Sequence, residues 1–302
     1  VNGKRVFLKG TNRHDTDPER GRAVTNETML RDVILMKQNN LNTIRTSHYP
    51  NAARMYAMFD YYGLYSVCEG DVEDHANQSL SSLPSWQPMM VDRINRMVLR
   101  DRNHACVLFW SAGNESGEGQ NIAEVIDEGK SCDPTRFWMY GGNALKHPAE
   151  DIIGPRYPMP LNHELGQGFD TRDRRPSFMD EYVSVAGNGG GALDDYWREI
   201  YEHPSLMGGA IWDFVSPGIR RPVRELEDKS PNGIMAVIMG SATIGKMKGH
   251  ESAVLSLNKY DQWVQVYRDD CLETGGDALT ITLDVFPRRY CPDGGYFLTK
   301  GS

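Results

Sequence analysis

The stretch Trp110-Ser111-Ala112-Gly113-Asn114-Glu115-Ser116-Gly117 limits what this chain can fold into more than any other. It follows an unbroken apolar run, Cys106-Val107-Leu108-Phe109-Trp110. A run without alternation is a strand covered on both faces, as in a parallel sheet flanked by helices. Polarity then switches, and a carboxylate stands where the strand must stop. Gly119 and Gln120 lead into Ile122, Ala123, Val125 and Ile126, apolar positions at helical spacing. Glu115 therefore sits at the C-terminal end of a parallel strand, before a βα loop. In (β/α)8 barrels catalytic groups gather at that end. On position alone, a solvated loop glutamate is the plain alternative.

A second short apolar strand runs into an acid at Ser177-Phe178-Met179-Asp180-Glu181-Tyr182. Around these two, strand and helix patterns alternate with short links, which predicts βαβ units. Strands are expected at Val6-Phe7-Leu8, Thr43-Ile44-Arg45, Leu64-Tyr65-Ser66-Val67, Phe137-Trp138-Met139-Tyr140, Asp151-Ile152-Ile153-Gly154 and Gly208-Gly209-Ala210-Ile211-Trp212. Thr25 or Asn26 caps a helix carrying Leu30, Val33 and Ile34, with Glu27 at its positive start. Asn51 is expected to cap a helix with Met55, Tyr56 and Phe59 on one face, stopped by Gly63. Trp86, Met90, Ile94, Met97 and Val98 form a stripe whose methionines read as core packing. Leu193, Tyr196, Trp197, Ile200 and Tyr201 mark a further helix. Eight strands with interleaved helices predict an α/β fold, a (β/α)8 TIM barrel over residues 1–216.

The pattern breaks after Trp212, where no long eighth helix is evident. Residues 217–250, rich in Pro and charge, read as a linker with at most a short helix at 223–228. From about Ala253 the chain reads as all-β, with alternation at Trp263-Val264-Gln265-Val266-Tyr267 and at residues 279–285, and a Gly-rich turn before Tyr296-Phe297-Leu298. Residues 278–287 resemble the laminin-G or concanavalin-like sandwich modules attached to some carbohydrate enzymes. Residues 251–302 are thus expected to be a partial β-sandwich-like segment, since a full sandwich needs more strands.

Bulk properties exclude some roles. The net charge is −8 and no Lys/Arg block stands out, which argues against a nucleic-acid partner. No apolar run has the length of a membrane helix. The five cysteines, Cys68, Cys106, Cys132, Cys271 and Cys291, show neither a disulfide framework nor a zinc spacing. The first residue is Val1 and the chain opens in a strand-like stretch, so it reads as an excised piece of a longer protein, its compartment undecided.

Several motifs occur in a telling order: Asn12-Arg13-His14, Arg45-Thr46-Ser47-His48-Tyr49-Pro50, Glu73-Asp74-His75, the Glu115 stretch, Glu181-Tyr182 before Gly187-Asn188-Gly189, and Gly208-Gly209-Ala210-Ile211-Trp212-Asp213. Together they resemble the catalytic domain of glycoside hydrolase family 2, and within it the β-galactosidases. The likeness runs from Val1 to about Val215. Acetal cleavage needs a proton on the leaving oxygen and electrons at the anomeric carbon, and two carboxylates supply both. The resemblance implies Glu115 as acid/base, Glu181 as nucleophile, and double displacement with retention on terminal β-galactosides.

Further roles rest on the same likeness. Asn114 would bond the sugar 2-hydroxyl, Tyr157 would orient the nucleophile, and His14 and His48 would bind substrate at the mouth. Arg45 could pair with Glu181, and Trp212 offers a face for a sugar ring. Glu73, His75 and Glu115 match the family's Mg2+ site. Each has a plain alternative: a turn Asn, a rim Tyr, structural His, a cross-linking Arg, a buried Trp, a solvated Glu-x-His pair. Ser184 stands where β-galactosidases carry a histidine, which opens the choice of sugar, and no sodium-binding segment follows Trp212. β-Glucuronidase, β-mannosidase and an inactive carbohydrate-binding barrel remain alternatives. The implied partners are an oligo- or polysaccharide and further domains of the same polypeptide upstream and downstream, one of which lends a residue to the pocket in β-galactosidases. On that expectation, this piece alone has a wider mouth and hydrolyses aryl galactosides poorly.

Overall fold

Parallel pairing sets the architecture in the computed structural model, which describes residues 1–142, 148–160, 175–185, 190–215, 217–220, 222–246, 248–249, 253–257, 262–267 and 280–286. The elements of the first unit, Val1–Ile219, are β1 (Leu8–Arg13), α1 (Asn26–Gln38), β2 (Thr43–Thr46), α2 (Ala53–Tyr62), β3 (Tyr65–Glu69), α3 (Gln87–Asp101), β4 (Val107–Asn114), α4 (Gln120–Cys132), β5 (Trp138–Gly141), β6 (Ser177–Tyr182), α5 (Leu193–Glu202) and β7 (Leu206–Ile211). A 3-10 segment, His75–Ser82, precedes α3. The sheet runs β5-β4-β3-β2-β1-β7-β6 and every pairing in it is parallel.

Its two edges are joined by isolated parallel bridges, Met139 to Ile152, Ile153 to Ser177 and Arg156 to Glu181. The expected strand at residues 151–154 is therefore a seam of bridges that nearly closes the barrel. Pro155 supplies no N–H to a ladder, which explains the break. The first strand also differs from expectation. It runs on through Asn12 and Arg13, which are buried polar residues, and not through Val6 and Phe7.

Helix ends show where tertiary contacts override local signals. Thr25 caps α1 as expected, its hydroxyl accepting from Thr28 N at 3.2 Å. Asn51 does not cap α2. The cap residue is Ala52, and Asp15 Oδ2 accepts from Ala52 N at 2.7 Å. Asn51 Oδ1 is committed to Arg13 Nη1 at 2.9 Å. Gly63 ends α2 at φ +67°, a left-handed position that glycine takes without strain.

Inside the barrel, one layer holds Leu8, Val67, Phe109, Met139, Ile152, Phe178 and Ala210, drawn from strands around the ring. Phe109 and Phe178 meet edge to face at 5.4 Å between centroids. A larger cluster packs helices on the outside of the sheet, with Val33, Met36, Met55, Phe59, Ile94 and Ile126 fully buried. The apolar layer fills the barrel, so chemistry is confined to its mouth.

The second unit, Arg220–Thr299, is antiparallel. β8 (Arg224–Leu226), β9 (Ala236–Met239) and β12 (Trp263–Val266) pair in the order β12-β9-β8, and β10 (Thr243–Lys246) pairs with β11 (Ala253–Ser256). The short helix expected at 223–228 is instead β8, which bonds to β9. Strands β8 to β10 fall inside the stretch read as a linker. β12 matches the alternation at Trp263. Residues 280–286 form no strand, and Ile281, Leu283 and Val285 stay about half exposed. Alternation buries a face only where a sheet or core lies beneath it. The expected strand at Tyr296-Phe297-Leu298 lies outside the described residues. Among those described, no helix is long and apolar enough to cross a membrane.

Candidate active site

The C-terminal ends of the strands carry polar side chains that the inner apolar layer cannot pair, so they pair with each other. Arg45, from β2, is fully buried. Its Nε and Nη2 bond Glu69 Oε2 and Oε1 at 2.7 and 3.0 Å, a two-point contact with the last residue of β3. Nη1 donates to Asn12 Oδ1 at 2.9 Å and to Glu181 Oε1 at 3.0 Å, and Nη2 to Asn114 Oδ1 at 2.8 Å. Arg45 thus ties β1, β2, β3, β4 and β6 together at the mouth, and its expected pairing with Glu181 is present.

Glu181 is 5 % exposed. Tyr157 Oη donates to its Oε2 at 2.8 Å, and His48 Nε2 stands 3.7 Å from its Oε1. Burial would raise the Glu181 pKa, but the guanidiniums of Arg45 and Arg156 outweigh it and hold the carboxyl below its ordinary range. The adjacent Asp180 differs. Burial keeps it above the usual carboxylate range despite Arg156 and Arg45.

Glu115 follows β4 directly, at φ +45°. Its side chain is 24 % exposed, more open than Glu181. Arg156 Nη1 lies 2.8 Å from Glu115 Oε1, and Nη2 of the same guanidinium lies 3.6 Å from Glu181 Oε1. The two glutamates therefore share one cation at one mouth. Arg156 also pairs with Asp180 and donates to Asn114 Oδ1 at 2.6 Å. A Cβ on Gly141, at the end of β5, would stand 2.8 Å from Arg156 Nη2, so only glycine leaves room for the guanidinium.

Asn114 is 1 % exposed and heavily engaged. Its Oδ1 accepts from Arg45 and Arg156, and Nδ2 donates one of its two hydrogens to Glu73 Oε1 at 3.0 Å. His48 is anchored through Nδ1 to Glu69 Oε1 at 2.8 Å and stacks on Trp212, with centroids 5.0 Å apart and planes 10° apart. His14 stands edge-on to both rings and contacts Tyr49 Oη through Nδ1 at 3.2 Å. Burial chiefly, with His48, Arg22 and Arg45 nearby, lowers the His14 pKa from 6.5 to about 4. His14, His48 and Trp212 form an aromatic wall that ends at Glu181.

Glu73 and His75 lie beside this group. His75 Nδ1 is 3.6 Å from Glu115 Oε2, while Glu73 turns its carboxylate to Asn114. Asp74, between them, is partly buried beside Ser116, and burial raises its carboxyl above the ordinary range. Glu73, His75 and Glu115 do not bring one donor atom each within 4.8 Å of one another, so the expected Mg2+ ligands match a hard divalent cation in kind but are not drawn to one point. Glu73, Asp74 and His75 also line a cavity of about 510 Å³ with Trp86 and Arg93, although neither Glu115 nor Glu181 lines it.

Sequence reading missed Glu69, Asp180, Arg156, Asn12 and Ser111, whose hydroxyl donates to Glu69 Oε2 at 2.7 Å. Glu69 carried the signal that revealed Glu115, an acid at the end of an apolar strand. Arg156 carried none, because its seam has no periodicity.

A family model described as glycosyl hydrolases family 2, TIM barrel domain, matches residues 1–232. A protein named beta-galactosidase from Vibrio vulnificus (strain YJ016) is 40 % identical over 235 residues, 72 % of this chain and 22 % of that protein. Another of that name, from Yersinia enterocolitica serotype O:8 / biotype 1B, is 39 % identical over 237 residues, 73 % and 22 % of the two chains. This chain thus spans less than a quarter of the length of these relatives. Among solved structures, a beta-D-glucuronidase of Dictyoglomus thermophilum aligns with TM-score 0.61 at 20 % identity, over 73 % of this chain and 46 % of that one. A Ruminococcus gnavus β-glucuronidase with D-glucaro-d-lactam gives TM-score 0.62 at 20 % identity, over 73 % and 45 %. At that identity the likeness is one of fold.

Proposed function

Because this chain belongs to glycosyl hydrolase family 2, we propose that it is the catalytic barrel of a retaining β-galactosidase acting on terminal β-galactosides. The observation that carries this reading is the contrast between two glutamates at one mouth. Glu181 is buried and held ionised by Arg45 and Arg156, while Glu115 is more open to solvent.

In the first step a Glu181 carboxylate oxygen attacks the anomeric carbon. The bond to the leaving oxygen breaks as Glu115 gives that oxygen its proton, leaving an alcohol and a galactosyl ester on Glu181. In the second step Glu115, now ionised, takes a proton from water as the water oxygen attacks the same carbon. The ester bond breaks, Glu181 returns as a carboxylate, and two inversions give net retention. One water is consumed. Arg45 and the Tyr157 hydroxyl stabilise the charge that returns to Glu181.

The remaining assignments follow from the same reading. Trp212 and His48 offer a flat wall for a sugar face, His14 lies edge-on to it, and the second Nδ2 hydrogen of Asn114 suits the 2-hydroxyl. Mg2+ would be held by Glu73, His75 and Glu115. When bound, that ion supplies positive charge at the acid and order at the mouth. Residues 1–216 are read as a (β/α)8 unit and 251–302 as part of a laminin-G or concanavalin-like segment; the antiparallel β9–β12 and β10–β11 pairs support a β unit that begins before residue 251. Oligo- or polysaccharide substrates and further domains of the same polypeptide are the partners implied.

A panel of aryl β-glycosides tests the reading. The galactoside should have the highest kcat/KM, ahead of the glucuronide and the mannoside. A preferred glucuronide would overturn the sugar assignment, and turnover of none with the further domains of the polypeptide present would favour a binding barrel.

A further inference from the structure

At the base of the barrel, away from the two glutamates, three side chains of different chemistry meet. Asp60 comes from the last turn of α2, and His104 and Cys106 from the connection between α3 and β4. Both places lead into the N-terminal end of a strand, the face that serves stability in this architecture. One donor atom from each residue lies within 4.8 Å of the others. Among the described residues this is the group of His, Cys, Asp or Glu side chains that closes so tightly.

The contacts aim these atoms. Cys106 N donates to Asp60 Oδ1 at 2.7 Å, which fixes the carboxylate and leaves Oδ2 toward His104 Nδ1 at 2.6 Å. The Cys106 thiol is buried, its Sγ 3.6 Å from the Tyr56 carbonyl oxygen. The Asp60 and His104 side chains are 31 % and 25 % exposed, so a solvent ion can reach them. Arg136, whose guanidinium donates to the His104 carbonyl at 3.1 Å, is held by Asp133 at 2.6 Å.

We propose that Asp60, His104 and Cys106 form a structural site for a borderline divalent transition ion, with Zn2+ the best match. Thiolate, imidazole and carboxylate are the donors that Zn2+ takes, at about 2.3, 2.0–2.1 and 2.0–2.2 Å. On binding, the thiol proton leaves to solvent and Sγ binds as thiolate. The Nδ1 proton that His104 gives to Asp60 Oδ2 also leaves to solvent on binding, so that His104 binds through the freed Nδ1 lone pair with its remaining proton on Nε2. Tetrahedral angles at those lengths separate the nitrogen and oxygen by roughly 3.3 Å. Nδ1 and Oδ2 must therefore part by less than 1 Å, roughly, as Sγ swings in, and a water completes the set. Asp60 Oδ1 keeps its bond to Cys106 N and holds the ligand in place. The ion joins the end of α2 to the entry of β4 without touching the mouth. Sequence spacing gave no sign of it, because Asp60 lies on α2, more than forty residues from His104 and Cys106 in the connection before β4.

Cobalt binding to the metal-stripped 302-residue chain tests the proposal. Co2+ should give a near-ultraviolet thiolate-to-metal charge-transfer band that saturates at one equivalent, bleaches on adding Zn2+, and is lost in Cys106→Ser. Zn2+ should also raise the Tm by on the order of 5 °C at a hundredfold excess over Kd. Absence of the band in the wild type overturns the site, as does an undiminished band in a folded Cys106→Ser. Should that variant not fold, X-ray absorption on the zinc-loaded wild type decides. One sulfur at about 2.3 Å supports the site, and a shell of nitrogen and oxygen alone overturns it.

Discussion

Arg156 stands 2.8 Å from Glu115 through Nη1 and pairs with the buried Asp180 through Nη2, so a single guanidinium couples the more open glutamate to the strand that carries the other. Neither end of that link is replaceable by charge alone, because the planar fork is what spans the two carboxylates. Arg156→Lys should keep the fold and lower kcat/KM by about 10²-fold, the scale expected when a reacting group is misplaced by about 1 Å. Arg156→Ala should also destabilise the barrel, by about 1–3 kcal/mol, because buried Asp180 loses its closer guanidinium and keeps Arg45 at 3.7 Å. Steady-state kinetics and urea denaturation of both variants check this. Full activity in Arg156→Lys would mean the fork is dispensable.

If Glu115 delivers the proton, its loss should be felt in proportion to the leaving group's need. Glu115→Ala should cost about 10²–10⁴-fold with a poor alcohol leaving group. With a strongly acidic phenol the first step needs little proton help and the loss should shrink. Azide should restore turnover and yield the β-glycosyl azide. A uniform loss across leaving groups would remove Glu115 from the acid role.

His14 supplies a pH dependence of stability with a definite sign. Its pKa is lowered from 6.5 to about 4, so the folded state refuses a proton that the unfolded chain accepts. This contribution is fully present above 6.5 and is lost as pH falls from 6.5 toward 4. Chemical denaturation at pH values across that window should show stability falling with acid, and His14→Gln should flatten the fall. An unchanged slope in the variant would assign the effect elsewhere.

The parts of this site visible in the sequence were those with a local signature. Glu115 and Glu181 each end an apolar strand, and parallel strands in a barrel present their ends at one mouth. Glu69 ends β3 in the same way, but the strand was read as stopping at Val67, before the acid. Its partner Arg45 lies on the neighbouring strand, so the pair exists only after pairing. Arg156 belongs to a seam broken by Pro155, where no period marks the structure. Asp15 rather than Asn51 serves the start of α2, because Arg13 claims Asn51 across 38 residues. In the second unit, alternation at residues 263–266 found a partner in β9, whereas the same pattern at 280–286 forms no strand. Pairing alone does not bury a face, since Trp263 and Val266 remain 45 % exposed.

The nucleophilic role of Glu181 is tested most directly by trapping its ester. An aryl 2-deoxy-2-fluoro-β-galactoside with an acidic leaving group should add one fluorogalactosyl group to the protein. The fluorine slows both steps, and the good leaving group restores the first, so the intermediate accumulates. Peptide mapping by mass spectrometry should place the label on Glu181, and Glu181→Gln should take up none. A label on Glu115 or Asp180, or turnover giving α-galactose as the first product by NMR, would contradict the account.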